Sequence, residues 1–171
     1  MKKLLPLLFV LMGLGSAAQI VNIPDANFKN ALVNYSDVSG RRIDTNNDGE
    51  IQYSEAAGFS FIGGGYILAI DNQNISDLTG IQAFIYLSYL NCNGNHLTNL
   101  DISGLPIRQL FCRDNNLTSI NLAGCNFLYS IDCSNNQLSS INLSSQNSTF
   151  ESLVCSNNNI SVAERYLDQG K

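Results

Sequence analysis

The chain has 171 residues, 14 acids against 9 lysines and arginines, one histidine and five cysteines. That length suffices for one domain, and the acidic balance disfavours phosphate backbones and anionic lipid surfaces as partners. It suits a cation, or a basic surface on another protein.

Lys2 and Lys3 precede an apolar run from Leu4 to Leu14, and Ser16-Ala17-Ala18 supplies small residues before Gln19. This is the layout of a secretory signal peptide over residues 1–18, and the run is too short to span a membrane comfortably. The mature chain then begins at Gln19, is not inserted in a membrane, and loses two lysines and no acid with the leader.

Residues 19–65 read as an N-terminal cap. Pro24 suits the first position of a helix and Asp25 adds negative charge to its first turn, while Phe28, Ala31, Leu32 and Tyr35 recur at helical spacing. After the polar stretch 36–42 comes Asp44-Thr45-Asn46-Asn47-Asp48-Gly49-Glu50-Ile51-Gln52-Tyr53-Ser54-Glu55, which matches the twelve-residue calcium loop D-x-[DN]-x-[DN]-G-x5-E. The spacing places oxygens of Asp44, Asn46 and Asp48 on one side of a tight turn that Gly49 permits. The Glu50 carbonyl, Gln52 (directly or through water) and both oxygens of Glu55 complete the expected set, so calcium is the expected ion. Two features depart from a regular EF-hand: the polar stretch interrupts the incoming helix, and no partner loop is present.

The Gly63-Gly64-Gly65 break leads into a solenoid over residues 66–160. Ile70-Asp71-Asn72 and Ile75-Ser76-Asp77-Leu78 look like a degenerate first repeat. Four full repeats of L-x-x-L-x-C-x-x-N-x-L follow: Leu87-Leu90-Cys92-Asn95-Leu97, Ile107-Leu110-Cys112-Asn115-Leu117, Leu128-Ile131-Cys133-Asn136-Leu138 and Phe150-Leu153-Cys155-Asn158-Ile160. The cysteines step by 20, 21 and 22 residues. That period and pattern predict a leucine-rich-repeat solenoid, mostly β, each coil stacked on the next.

Four cysteines at one equivalent inward position form a ladder of parallel side chains about 4.8 Å apart, unsuited to disulfides. The fifth, Cys125, stands where Leu105 stands one repeat earlier, and no C-x-x-C or Cys/His spacing points to zinc. All five are expected as core thiols. The repeat asparagines turn the chain after each strand and pair with its backbone. Ser161 to Glu164 has capping-box spacing, which predicts a short helical cap over 161–171.

Residues flanking the buried Leu and Cys face outward, so Tyr89, Asn91, Gln109, Phe111, Arg113, Asp132 and Val154 are the expected partner-binding residues. Tyr89, Phe111 and Arg113 stand out, since aromatics and Arg are enriched where binding energy concentrates. His96 sits in a repeat turn with no nucleophile predictably near it, and the glycine run lacks a following Lys and Ser/Thr, so no enzyme is expected.

These segments resemble a known family. I-P-D-A-N-F, I-D-T-N-N-D-G-E-I-Q-Y-S-E-A, N-I-S-D-L-T-G-I-Q-A-F and the L-x-C-x-x-N-x-L-T-x-L-D repeats, in that order across the mature chain, look like secreted leucine-rich-repeat proteins of Gram-negative bacteria. The resemblance implies an extracellular or surface-exposed interaction module, often carrying a C-terminal sorting domain for type IX secretion. Residues to Lys171 hold no such domain, so the implied location is extracellular or cell surface, or periplasm if none follows. The expected role is a monomeric, protein-binding module with a structural calcium site. The alternative is a structural spacer or adhesin segment of a larger surface protein, which requires sequence beyond Lys171.

Overall fold

The computed structural model describes residues 19–59, 66–144 and 150–160. The expected signal peptide, the Gly63–Gly65 break and the C-terminal helix over 161–171 lie outside these residues. Among the described residues no helix is long and apolar enough to cross a membrane.

The repeats wind into a β-solenoid. Strands β1 (Tyr66–Ala69), β2 (Leu87–Asn91), β4 (Gln109–Phe111), β6 (Ser130–Asp132) and β7 (Ser152–Val154) form one parallel sheet in the order β1-β2-β4-β6-β7. On the other wall β3 (Asn99–Asp101) pairs in parallel with β5 (Ser119–Asn121). The register sets Leu68, Leu90, Leu110, Ile131 and Leu153 side by side. Successive side chains on a strand point to opposite faces, so the inward residue two positions later is Ile70 in the first coil and a Cys in the other four. Cys92, Cys112 and Cys133 are fully buried, Cys155 is half-buried, and all five cysteines are free thiols. Cys125 is also buried, with its Sγ 3.1 Å from the Ile102 carbonyl oxygen.

The turn after each strand is held by the repeat asparagine. The Asn115 amide donates to the carbonyls of Cys92, Cys112 and Arg113 and its oxygen accepts from Leu97 N–H, so one side chain ties two coils together. Asn95, Asn136 and Asn158 make equivalent bonds. The residue before each of them, namely Gly94, Asp114, Asn135 and Asn157, has φ between 55° and 63°. This left-handed region is one that Gly, Asn and Asp tolerate best.

The same signature completes the first coil, whose pattern in the sequence begins at Ile70. Asn72, at φ 55°, precedes Gln73, which stands where the later coils have Asn. The first coil therefore runs Leu68-Ile70-Gln73-Ile75, with β1 as its strand.

Helix α1 (Ala26–Val33) covers the first coil with Phe28 and Leu32, both 0% exposed. Each such side chain contributes about 2 kcal/mol by leaving water. The helix begins two residues later than its sequence implied. Pro24 lies outside it and Asp25 is its N-cap, accepting from Phe28 N–H at 2.9 Å rather than acting from within the first turn. The other Asp25 oxygen accepts from Ser76 and Asp77 N–H, which binds the cap to the first coil. Gly80 permits this approach: a Cβ there would lie 2.8 Å from the Asn22 carbonyl oxygen. Tyr35 closes the free edge of β1 by donating its hydroxyl to the Ile67 carbonyl at 2.9 Å.

Two outcomes follow from this arrangement. Burial lifts the Asp25 carboxyl, but the backbone N–H groups of Phe28, Ser76, Asp77 and Asn27 outweigh it and hold the group below its usual value. Its contribution is present above the ordinary aspartate range and is lost as pH falls through the lowered folded value. Asp25→Ala should cost about 1–2 kcal/mol in urea unfolding at neutral pH, and the difference from wild type should shrink on acidification. An equal difference at every pH would show that the carboxylate charge plays no part.

Burial pushes the Cys92 thiol up to about 12 and the Cys125 thiol up to about 11, and raises Cys112 well above its ordinary value. In the unfolded chain these thiols ionise near pH 9, so stability should decline above that pH by up to about 1.4 kcal/mol per pH unit per buried thiol. Cys112→Ala should flatten the decline, and Ellman titration should find five thiols only after denaturation.

Candidate functional site

The segment Asp44–Glu55 folds as a tight loop between the Ser36–Arg42 turn and helix α2 (Tyr53–Gly58). Gly49 takes φ 78°, and its N–H donates to Asp44 Oδ2 at 3.2 Å. Asp48 N–H donates to Asn46 Oδ1 and Glu50 N–H to Asp48 Oδ1, so the acidic and amide side chains themselves wind the loop. The backbone N–H of Glu50 and the amides of Gln52 and Asn46 hold the Asp48 carboxyl below its usual value despite a contrary effect of desolvation.

Asn46, Asp48 and Gln52 converge. The Asn46 amide lies 2.9 Å from Asp48 Oδ2 and 3.0 Å from Gln52 Oε1, and the Gln52 amide contacts both Asp48 oxygens. Glu55 is drawn aside: Oε1 accepts from Thr45 N–H and hydroxyl and from Asn46 N–H, while Oε2 accepts from Gln52 N–H at the start of α2. The Glu50 side chain pairs with Lys29, leaving its carbonyl as its contribution to the expected set. Accordingly, no group of three Asp, Glu, His or Cys side chains among the described residues converges as for a metal ion. The physical reason is charge: with amide N–H groups as the neutralising partners, three carboxylates do not crowd together.

One atom in the loop has no such partner. Asp44 is 1% exposed, and its Oδ1 is a buried side-chain oxygen without a hydrogen bond. A buried carboxylate oxygen left unpaired is costly, and a hard cation is the partner that would satisfy it. The surrounding donors are all oxygens once the Asn46 and Gln52 amides rotate, so the residues fit calcium in kind.

The chain itself supplies what a second loop would. Ile20 bridges Gln52 in antiparallel fashion, Val21 N–H donates to the Ile51 carbonyl at 2.8 Å, and Tyr53 N–H donates to the Gln19 carbonyl at 2.9 Å. Ile51 is 0% exposed, which ties the loop to the cap's core.

The outward face of the five-stranded sheet carries the expected partner residues in columns. Tyr89, Gln109 and Ser130 are in register on β2, β4 and β6, and beside them Asn91, Phe111, Asp132 and Val154 form a second column. Tyr89 and Phe111 touch across the strands, with ring centroids 5.1 Å apart and planes tilted by 34°. Val154 is 43% exposed at the far end of the column.

Not all these residues are uncommitted. Asn91 Oδ1 accepts from Asn93 N–H and its amide donates to Asp71. Asp132 Oδ1 accepts from Ser134 N–H and hydroxyl, so both hold turns. Arg113 sits 3.5 Å from Asp114 in an exposed pair of small energetic value. Ile67 belongs to this face and escaped the sequence reading, since it lies on β1 beside Tyr89 and is 59% exposed. Its alternation with buried Tyr66 and Leu68 was the available signal.

His96 is exposed, and its N–H donates to the Ile75 carbonyl. The Cys92 and Cys112 thiols, kept protonated by burial, are poor nucleophiles.

Comparison with known proteins locates the fold. No protein-family model and no curated protein matches the chain. Among solved structures, the functional domain of InlJ from Listeria monocytogenes, described as including a cysteine ladder, superposes with a TM-score of 0.65 at 26% identity. The match covers 85% of this chain and 31% of that one, so this chain spans about a third of its length. An internalin, InlF, from the same species matches with a TM-score of 0.50 at 19% identity, covering 89% of this chain and 50% of that one. The chain is thus a leucine-rich-repeat solenoid of the kind found in bacterial internalins.

Proposed function

We propose that this chain is a secreted, non-enzymatic module that binds a protein partner on the face of its five-stranded sheet, with one calcium ion bracing the cap. The observation that carries the reading is the Tyr89–Phe111 pair, two aromatic side chains presented together on a rigid sheet. The likeness to the InlJ functional domain supports it, because that domain shares the solenoid and a stacked row of cysteines. The ion would be held by Asp44, Asn46, Asp48, Gln52 and Glu55 with the Glu50 carbonyl, and its role is to neutralise the loop and satisfy Asp44 Oδ1.

The face is tested by substitution at positions the core does not need. Phe111→Ala with Arg113→Ala should leave the melting temperature nearly unchanged. It should reduce retention of a cross-linked partner from bacterial or host surface extracts about tenfold, the scale of one lost hot spot. Equal retention by both proteins would move the site off this face.

Extracellular modules bind calcium at ~10⁻⁴–10⁻³ M, and an ion that binds only the folded form stabilises it by mass action. At calcium about tenfold above its Kd the gain should be about 1.4 kcal/mol, reversed by chelator. Asp44→Ala should abolish the gain while keeping the circular dichroism of the repeats. Calorimetry and melting that show no calcium effect in the wild type would reduce the loop to a polar turn.

A further inference from the structure

A groove of about 840 Å³ runs between the cap and the sheet face. Tyr35 and the Ser36–Arg42 turn line one side; Ile67, Tyr89, Arg108, Gln109 and Tyr129 line the other. Its charges do not balance. Asp37 and Arg41 are paired with each other through the Arg41 Nε and a terminal nitrogen, and they cancel. Among the described residues that line the groove, Arg108 is the remaining charged one, with an exposed side chain and no carboxylate among them against it. The groove is therefore a positive spot on a chain whose net charge is −5.

Among the described aromatic rings of the groove, Tyr35, Phe59, Tyr66 and Tyr89 each pack on another ring. Tyr89 packs on Phe111, and Tyr35 meets Phe59 at 5.4 Å with planes at 87°. The Tyr89 hydroxyl and the Gln109 amide, on paired strands, suit the alternating donors and acceptors of a peptide backbone. Ile67, 59% exposed, supplies an apolar floor at one end.

We propose that this groove takes a linear acidic peptide segment of the partner, an aliphatic side chain resting on Ile67 and an Asp or Glu carboxylate meeting Arg108. This rests on the reading of the chain as a protein-binding module and names the class of partner. The spacing follows from the sheet. Ile67 pairs with Tyr89, Tyr89 with Gln109, and Arg108 adjoins Gln109, so the two anchors are two strand intervals apart. That is about 10 Å, or about three residues of extended chain. The recognised segment has an aliphatic residue and an acid three positions apart.

The test pans a phage-displayed library of random linear dodecapeptides against the full mature protein and titrates the synthesised consensus peptide by fluorescence anisotropy. Enriched sequences should carry the aliphatic–acid spacing. Arg108→Gln, by losing a charge-assisted hydrogen bond, and Ile67→Asp, by losing apolar contact and adding a repelling carboxylate, should each weaken the peptide about tenfold. Arg108→Glu should redirect selection towards basic peptides. Enrichment of peptides without an acid, no enrichment at all, or affinity unchanged in Arg108→Gln would overturn the proposal. So would Arg108-dependent binding confined to acidic glycans on an array, or self-association lost in that variant, which would identify a second copy as the occupant. Two patterns separate this groove from the sheet face. Peptides lost with Phe111→Ala plus Arg113→Ala but indifferent to Arg108→Gln sink the groove and keep the face. The reverse pattern keeps the groove and sinks the face.

Discussion

Every coil of this solenoid must leave its strand through a bend whose backbone groups are shut away from water, and one side-chain amide per coil meets that need. Asn136 shows the arrangement: it donates to Cys112 of the preceding coil and to Cys133 and Ser134 of its own, and accepts from Leu117 N–H. A buried backbone group without a partner costs about 1–3 kcal/mol, so each amide removes several such penalties at once. The thiols beneath obey the same geometry. They are small, apolar when protonated, and stack at the strand interval, where a larger side chain would overpack the interior. The functional consequence lies on the outside. With the coils fixed to one another from within, the exposed columns from Tyr89 to Ser152 and from Asn91 to Val154 are held at fixed spacing before any partner arrives. Preorganisation of this kind lowers the entropic cost of binding.

What could be read from the sequence was whatever the period repeats. The inward Leu and Cys, the turn asparagines and the outward Tyr89 and Phe111 follow from position in a twenty-odd-residue unit. The first coil was obscured because Gln73 replaces the asparagine. The left-handed Asn72 that restores the register is a backbone property, not a letter in the pattern. Proline fits both the first helical turn and the residue before the cap, so Asp25 reads two positions deeper in α1 than it lies. Its carboxylate reaches Phe28 N–H only from the cap position. The acidic loop was spelled out in the sequence, but not the way Glu55 is shared. The last residue of a twelve-residue loop is also the third of the helix that follows, and backbone N–H groups compete for the same oxygens.

Long-range contacts were the part that sequence spacing does not encode. Nothing in Gln19-Ile20-Val21 announces that it will pair with Gln52, Ile51 and Tyr53, thirty or more residues away. Likewise Tyr35 and Arg108 became neighbours of one groove only when the cap folded back on the sheet. Lining residues contributed by two different supersecondary units leave no common periodicity to detect.

The cap and the coils are stabilised by different physics, and the groove lies where they meet. The coils rest on apolar burial and uncharged amides, which salt and cations scarcely alter. The cap depends more on charge. Asp25 holds it to Ser76 and Asp77, Lys29 pairs with Glu50, and Arg42 reaches Asn47 in the acidic loop. The wall that carries Tyr35 continues from α1, whose outgoing end leads through the Ser36–Arg42 bridge into that same loop. Whatever neutralises the loop therefore also steadies one side of the groove, while the other side, built on β1, β2 and β4, stays as the ladder sets it. A partner seated there would contact a rigid sheet and a cap whose hold on it varies with ionic surroundings.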